Sequence, residues 1–219
     1  MSAHPRRSPK RDPLAPFKTK SWLSEAQRKA IHVSFIVLPL ELLYQWLPWP
    51  QSRGEWRLLL ISFVTIAIAI DLVRLHDRRV KSFFKEFFGE LIREHEQFNL
   101  LGSTYLLLAC LLAIELFERP MAAAAIGFTV LGDGFAAIVG QAYGRRRFFG
   151  KSLEGAAGGL AACLIWAVYL GASGYLPWRL AIAGALVASL VEFLPIPLDD
   201  NLGITLFAGY AMKLFGDYS

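Results

Sequence analysis

Cysteine is scarce in this 219-residue chain, and its two copies, Cys110 and Cys163, both lie inside apolar runs. That usage excludes a disulfide framework and a cysteine-based zinc site. A Walker-type phosphate loop is also missing: Gly150-Lys151-Ser152 matches its last three residues, but no glycine stands five residues before Gly150. The N-terminus lacks the apolar core of a cleavable signal. Apolar residues, in contrast, make up 55% of the chain, above the roughly 45–50% of soluble domains.

Apolar runs of nearly the length that crosses a bilayer recur along the chain. We therefore predict an all-α fold, a polytopic membrane helix bundle with about seven transmembrane helices. The predicted spans are residues 30–47, 56–72, 100–116, 121–143, 153–170, 178–194 and 202–215. Residues 1–23 are predicted to form a disordered basic cytoplasmic arm, and residues 24–219 a single transmembrane domain.

Residues 78–96 are predicted to form a cytoplasmic interfacial amphipathic helix between the second and third spans. Phe83, Phe84, Phe87 and Phe88 form a helical stripe, and cations surround it. The alternative is a soluble surface helix that packs on the bundle. Aromatic residues at the predicted outer ends of the spans are typical of a membrane-interface belt. They are Trp46, Trp49, Trp56, Tyr175 and Trp178.

The distribution of positive charge predicts the orientation in the membrane. The N-terminal arm, the second–third loop and the fourth–fifth loop together hold 18 of the 23 Lys and Arg residues. Loops rich in these residues stay in the cytoplasm. We therefore expect a cytoplasmic N-terminus and a C-terminus on the opposite side. The same asymmetry explains the net charge of +5 without a nucleic-acid partner.

One carboxylate stands inside an apolar run, in the segment Gly132-Asp133-Gly134. A charge in hydrocarbon is costly unless it has partners, so Asp133 is a candidate functional residue. We expect the flanking glycines to break the helix and to admit water. The alternative is a structural acid that pairs with an arginine.

A glycine-bracketed basic loop follows Asp133. Its cations are Arg145, Arg146, Arg147 and Lys151, and its glycines are Gly144, Gly150 and Gly155. This composition suits a phosphate cradle, although a positive loop is also an ordinary orientation signal. Small residues at four-residue spacing on both sides of the loop indicate helix-packing faces.

Two adjacent acids open the last predicted span, in the segment Asp199-Asp200-Asn201, after Pro195 and Pro197 end the sixth. Carboxylate and amide oxygens are hard ligands suited to Mg²⁺. An acid at a helix N-terminus also serves as a simple cap. Other polar residues lie at span ends or inside spans: Arg28, Lys29, His32, Asp71, Arg74, Glu192, Glu41 and Glu115.

These residues together resemble a known family. Gly132-Asp133-Gly134-Phe135-Ala136-Ala137-x-x-Gly140, followed by Gly144-Arg145-x-x-Phe148-Phe149-Gly150-Lys151-Ser152-Leu153-Glu154-Gly155, resembles the CTP-dependent lipid kinases. That group comprises dolichol kinase, phytol and farnesol kinase and the yeast-type diacylglycerol kinase, and it is related to phosphatidate cytidylyltransferases. Weaker resemblances extend the match to residues 28–210. They are Glu192 with Asp199-Asp200-Asn201-Leu202, Arg28-Lys29-x-x-His32, Asp71-Leu72-x-Arg74 and Asn99-Leu100-x-Gly102-x-Thr104-Tyr105.

The resemblance implies a kinase that transfers a phosphoryl group from CTP to the hydroxyl of a membrane lipid alcohol, in an active site that faces the cytoplasm. The lipid would be diacylglycerol, a polyprenol or an isoprenoid alcohol. The implied phosphate-binding residues are Arg145, Arg146, Arg147, Lys151 and Ser152. The implied Mg²⁺ ligands are Asp133, Asp199 and Asp200, of which Asp133 and Asp200 are also catalytic. Accessory candidates are Arg28, Lys29, His32, Asp71, Arg74, Glu154, Glu192 and Asn201.

Two other classes of function stay open. One is CDP-lipid synthesis of the phosphatidate cytidylyltransferase type, although the signature of that group, a serine with downstream Asp-Arg and Lys-Asp pairs, is not evident. It would release pyrophosphate instead of CDP. The other is a non-enzymatic transporter or scaffold that uses buried acids to handle ions.

Overall fold

Nine α-helices make up most of the computed structural model, which describes residues 22–89, 91–92 and 95–217. They are α1 (Trp22–Ser34), α2 (Val37–Tyr44), α3 (Arg53–His76), α4 (Arg78–Phe88), α5 (Gly102–Leu116), α6 (Arg119–Tyr143), α7 (Leu153–Ala172), α8 (Trp178–Phe193) and α9 (Asp200–Asp217). A 3₁₀ turn at His95–Gln97 precedes α5. A hairpin of two short antiparallel strands, β1 (Arg147–Phe148) and β2 (Lys151–Ser152), joins α6 to α7. The predicted N-terminal arm lies outside the described residues, except for the two that begin α1.

Three helices in the described part of the chain, α3, α6 and α7, are long and apolar enough to cross a membrane. At a rise of 1.5 Å per residue, a helix the length of α6 spans about 37 Å, more than the roughly 30 Å hydrocarbon core of a bilayer. Helix α5 is apolar but shorter. The predicted sixth and seventh spans coincide with α8 and α9, which have 16 and 18 residues. Membrane crossing by these shorter helices is therefore a proposal, argued below.

The predicted first span, residues 30–47, is two helices rather than one. Helix α1 ends at Ser34 and α2 begins at Val37. Pro39 explains the break, because it has no backbone N–H to donate to the carbonyl four residues earlier, at Phe35. That carbonyl accepts from the backbone N–H of Leu38 instead, at 3.0 Å. As a result, α1 and α2 pack separately against α6.

Helix α6 is the centre of the bundle and contacts α1, α2, α5, α7, α8 and α9. Burial covers 72% of its most apolar stretch, against 22% for α3. Four consecutive alanines, residues 122–125, are fully buried, and such small side chains let neighbouring helices approach closely. Helix α3 instead exposes large apolar side chains, among them Leu58, Phe63 and Ile66. The bundle thus encloses α6 and leaves α3 at its periphery.

Glycines hold α6 and α7 together beside the hairpin. A Cβ atom on Gly155 would lie 2.6 Å from the carbonyl oxygen of Ala136, and one on Gly140 would lie 2.8 Å from Oγ of Ser152. The small residues singled out in the sequence therefore lie at a helix contact. The hairpin turns through Phe149 and Gly150 with φ angles of 52° and 83°, and two positive φ values in succession are typical of a type I′ turn.

The predicted amphipathic helix ends earlier than expected. Helix α4 begins after Asp77, whose Oδ1 accepts from two backbone N–H groups of the first turn, and it ends at Phe88 instead of residue 96. Residues 90, 93 and 94 lie outside the described part. Every described side chain of α4 is at least partly exposed, including Phe83 and Phe87. Helix α4 therefore offers an apolar face that the described bundle leaves uncovered.

The residues of the predicted aromatic belt differ in exposure. The side chains of Trp46, Trp49 and Trp178 are about half exposed. Trp56 is only 5% exposed and packs in the core beside Leu42. It belongs to the interior, because it faces inward from the first turn of α3.

Candidate functional site

A cavity of about 220 Å³ lies between α1, α6, the hairpin, the start of α7, the end of α8 and the start of α9. Small residues of α6 and α7 form part of its wall, including Ala136, Gly140 and Gly155. The charged residues that line it are Arg28, Lys29, Asp133, Arg147, Lys151, Glu192 and Asp200. The cavity therefore collects charges from five elements, α1, α6, the hairpin, α8 and α9, that are brought together from across the sequence.

Asp133 projects from α6 into this cavity and pairs with a lysine. The Nζ atom of Lys29 lies 2.5 Å from Oδ2 of Asp133 and also donates to the Asp133 carbonyl at 3.2 Å. Both side chains are nearly buried, at 2% and 10% exposure. Nε2 of His32, the next turn of α1, lies 3.6 Å from the same carboxylate oxygen. The structural alternative expected an arginine partner, and the structure pairs Asp133 with a lysine, Lys29.

The glycines beside Asp133 do not break α6, contrary to expectation. The helix runs without interruption to Tyr143. A Cβ atom on Gly134 would lie 2.5 Å from Cγ2 of Val33, and one on Gly132 would lie 2.8 Å from Sγ of Cys163. Their function is therefore close packing: Gly134 lets α1 approach α6 near enough for Lys29 to reach Asp133.

Lys151 joins two further carboxylates of the cavity lining. Its Nζ atom lies 3.4 Å from Oε1 of Glu192 and 3.2 Å from Oδ1 of Asp200, and it donates a hydrogen bond to the Glu192 carbonyl. Glu192 sits in the last turn of α8, and Asp200 is the first residue of α9. One ammonium therefore connects the hairpin with the ends of both helices.

The two adjacent acids of the last span have different surroundings. Oδ1 of Asp199 accepts from the backbone N–H of Asn201 at 3.0 Å, as the cap alternative expected, and Asp199 does not line the cavity. Within the described residues, no group of three or more His, Cys, Asp or Glu side chains could hold a metal ion. The predicted ligands Asp133, Asp199 and Asp200 thus do not form one such group; Asp133 pairs with Lys29 and Asp200 with Lys151.

The basic loop divides in the same way. Arg147, Lys151 and Ser152 line the cavity, whereas Arg145 and Arg146 are exposed and lie outside its lining. Ser152 caps α7, since its Oγ accepts from the backbone N–H of Gly155 at 3.0 Å. The accessory candidate Glu154 also lies outside the lining. Its Oε2 accepts from the backbone N–H groups of Arg145 and Arg146 at 3.0 and 3.3 Å, which fixes the start of the loop.

Asp71 and Arg74 form a buried network away from the cavity. Arg74 donates to Oδ1 of Asp71 at 2.8 and 3.0 Å and to the carbonyls of Glu96 and Asn99 at 2.8 and 2.7 Å. Oδ2 of Asp71 accepts from Oγ1 of Thr104 at 2.7 Å. These predicted accessory residues therefore fix the chain that leads into α5. Their ordered burial points to a structural function.

Asn201 is also outside the cavity lining. Nδ2 of Asn201 donates to the Gly102 carbonyl at 3.1 Å, and the Asn201 carbonyl accepts from Oγ1 of Thr205 at 2.7 Å. Asn201 thereby ties the first turn of α9 to the first turn of α5. Since Asp200 immediately precedes it, Asn201 helps to position Asp200 in the cavity.

Glu41 and Glu115, the two acids that the sequence places inside predicted spans, have local partners. Oε1 of Glu115 lies 2.5 Å from Nε of Arg57 in a partly exposed ion pair. Oε1 of Glu41 accepts from the backbone N–H of Leu47 at 3.2 Å, after the end of α2. Neither acid lines the charged cavity.

Sequence reasoning missed the pairing scheme of the site. The sequence places Lys29 beside Arg28 and Glu192 inside a predicted span, but it gives neither residue a partner. One signal is present: acids in apolar segments need cations, and Lys29 and Lys151 stand just before the first and fifth predicted spans. Which acid meets which lysine depends on tertiary packing across 104 residues for Lys29 and Asp133.

Comparison with known proteins shows similarity to a relative along most of the chain. The chain is 28% identical over 198 residues to an uncharacterized protein of Rickettsia prowazekii (strain Madrid E), a match that covers 86% of this chain and 93% of the relative. No family model and no solved structure matches the chain. The similarity therefore runs along nearly the whole of both proteins rather than through one motif.

Proposed function

We propose that this chain is an integral membrane kinase that transfers the γ-phosphoryl group of CTP to the hydroxyl of a membrane lipid alcohol. One observation carries the proposal: cations and carboxylates from five elements meet around a small cavity with a glycine-lined wall. Charge neutralisation and positioning do most of the catalysis in phosphoryl transfer. The charged side chains and the close glycine-lined wall of the cavity can supply both.

The lining charges favour an anionic occupant. Four cations, Arg28, Lys29, Arg147 and Lys151, face three carboxylates, so the cavity has a surplus of positive charge. Its volume of about 220 Å³ is below the roughly 300–1,000 Å³ of pockets that enclose drug-sized ligands. In this proposal the phosphates enter the cavity and the nucleoside stays at its mouth, beside the hairpin.

Asp133 is the proposed acceptor of the hydroxyl proton. The lipid oxygen forms a bond to the γ-phosphorus, the bond from that phosphorus to the β–γ bridging oxygen breaks, and CDP leaves. The hydroxyl proton passes to the Asp133 carboxylate. The ammonium of Lys29, at 2.5 Å, fixes the direction of this carboxylate.

A divalent cation fits Glu192 and Asp200 better than it fits the predicted set of Asp133, Asp199 and Asp200. Oxygens of Glu192 and Asp200 already converge on one cationic group, the ammonium of Lys151, and Mg²⁺ takes oxygen ligands from one or two carboxylates together with substrate phosphates. Glu192 and Asp200 are therefore the residues that would hold it. When bound, Mg²⁺ supplies positive charge that offsets the charge of the triphosphate.

The proposed arrangement in the membrane has seven spans, with α1 and α2 together forming the first. With a cytoplasmic N-terminus, the end of α6, the start of α7, the end of α8 and the start of α9 all lie on the cytoplasmic side. That side is where the charge asymmetry of the loops also points. The exposed phenylalanines and surrounding cations of α4 suit the cytoplasmic membrane interface. This arrangement opens the cavity toward the cytosolic nucleotide pool.

Product analysis tests the function. Purified full-length protein is incubated with labelled CTP or ATP and with diacylglycerol, a polyprenol, farnesol or phosphatidate. The proposal expects a phosphorylated lipid alcohol and CDP. A CDP-lipid with release of pyrophosphate would establish cytidylyl transfer instead. No nucleotide turnover with any lipid, together with ion flux in liposomes, would establish the transporter class.

A further inference from the structure

Lys151 holds the position that a metal ion would take in this cavity. Its ammonium contacts Glu192 and Asp200 at 3.2–3.4 Å and bonds to the Glu192 carbonyl. The side chain of Glu192 is 10% exposed, and its carboxylate lies at the C-terminal end of α8, where the helix dipole is negative. Two carboxylates and a helix-end carbonyl make a negative locus, which the Lys151 ammonium neutralises.

Lys151 can leave this locus without a change of the backbone. It follows Gly150 at the tip of a short hairpin. Its side chain is 28% exposed, whereas that of Lys29 is 2% exposed and bonded to both the carboxylate and the carbonyl of Asp133. A lysine ammonium is a mobile point charge on a flexible stem. Of these two lysines, Lys151 is therefore built to exchange partners and Lys29 to stay fixed.

The metal-ligating side chains of the described residues favour a cation that arrives together with the phosphates. No described group of three or more ligating side chains is present, and Mg²⁺ is reluctant to lose its waters for an all-protein site. The Lys151 ammonium also competes for the two carboxylates. A free divalent cation therefore gains little in this cavity, whereas a triphosphate can draw the ammonium away from the carboxylates.

We infer that Lys151 is an exchangeable counter-cation: it neutralises Glu192 and Asp200 in the empty cavity and transfers to the triphosphate when a divalent cation takes its place. This inference rests on the proposed function, because it takes the cavity to receive a triphosphate. Linkage makes the effect reciprocal, so triphosphate and divalent cation each strengthen the binding of the other, typically by roughly 5- to 150-fold.

Binding of Mn²⁺ alone gives the direct test, since Mn²⁺ takes the same oxygen ligands and its free form is measured by electron paramagnetic resonance. In full-length detergent-purified protein, Lys151→Met removes the competitor, and we expect it to tighten Mn²⁺ binding at least about tenfold. Lys151→Arg retains the charge and should bind Mn²⁺ as weakly as the wild type. Adding Asp200→Asn to Lys151→Met should abolish the gain.

Lys213→Met is the matched control, because Lys213 is an exposed lysine 13 residues along α9 from Asp200, about 20 Å along the helix axis. It should leave Mn²⁺ binding unchanged. Equal Mn²⁺ affinity in Lys151→Met and wild type, with thermal unfolding curves that coincide, would overturn the inference. If Lys151→Met does not fold, gel filtration of the wild type decides: Mn²⁺ should co-elute with the protein only when tripolyphosphate is added, and co-elution without it contradicts the exchange.

The two proposals can fail separately. Tighter Mn²⁺ binding by Lys151→Met in a protein that phosphorylates no lipid would retain the exchange and reject the kinase. If the protein phosphorylates a lipid but Lys151→Met leaves its Mn²⁺ affinity unchanged, the kinase proposal stands and the exchange is rejected.

Discussion

Lys29 and Asp133 form a buried ion pair in the bundle, and each charge keeps the other from being buried without a partner. Both side chains are at most 10% exposed and their charged atoms are 2.5 Å apart. A buried ion pair adds little net stability over an apolar pair, but losing one partner strands a charge. The pair therefore makes Asp133 tolerable in an apolar helix and leaves a carboxylate in the cavity.

Removing one partner by a single substitution tests the importance of this ion pair. Lys29→Met should lower the free energy of unfolding by about 3–5 kcal/mol, because it leaves the Asp133 carboxylate buried and unpaired. The double variant with Asp133→Leu should recover most of that loss. Denaturant titration in detergent measures both. Arg57→Gln, in the partly exposed pair with Glu115, is the control and should cost much less. A Lys29→Met protein as stable as the wild type would rule out the pairing.

The close contact between helices α6 and α7 determines the shape of the cavity. Gly155→Ala places a Cβ atom 2.6 Å from the Ala136 carbonyl oxygen, so the helices must separate, and overpacking of this kind costs about 1–3 kcal/mol. We expect a lower unfolding temperature and weaker binding of labelled CTP.

Gly203→Ala provides the matched control for this prediction. A Cβ atom on Gly203 in α9 would meet Cγ1 of Val191 at an ordinary 3.6 Å, and alanine is favoured over glycine inside a helix by about 1 kcal/mol. Gly203→Ala should therefore be neutral or stabilising. If the two variants unfold at the same temperature, the close approach of α6 and α7 is not what Gly155 provides.

Helices could be predicted from the sequence more fully than contacts. Long apolar runs marked the positions of α3, α6 and α7, and small residues at four-residue spacing marked the α6–α7 contact. The break before α2 was missed, although Pro39 was its visible cause. The sequence could not predict that Asp200 lines the cavity and Asp199 does not. Adjacent residues at a helix start point in different directions, and tertiary neighbours decide which one faces the cavity.

Topology is the prediction that belongs to the whole molecule. Seven spans with a cytoplasmic N-terminus place the C-terminus on the far side, whereas six or eight spans would return it to the cytoplasm. Alkaline phosphatase fused after Ser219 should therefore be active in bacterial cells, and a green fluorescent protein fused there should be dark. The reverse pattern would mean that one of the shorter helices does not cross the membrane.

The fate of the γ-phosphate tests the central claim most directly. Full-length protein in lipid nanodiscs receives CTP labelled at the γ-phosphate or, in a parallel reaction, at the α-phosphate, together with a lipid alcohol. The account predicts that the γ-label moves to the lipid, that the α-label stays in CDP, and that Asp200→Asn lowers the rate at least about a hundredfold by removing a carboxylate that would hold Mg²⁺. Appearance of the α-label in the lipid, or transfer unaffected by Asp200→Asn in a folded protein, would contradict it.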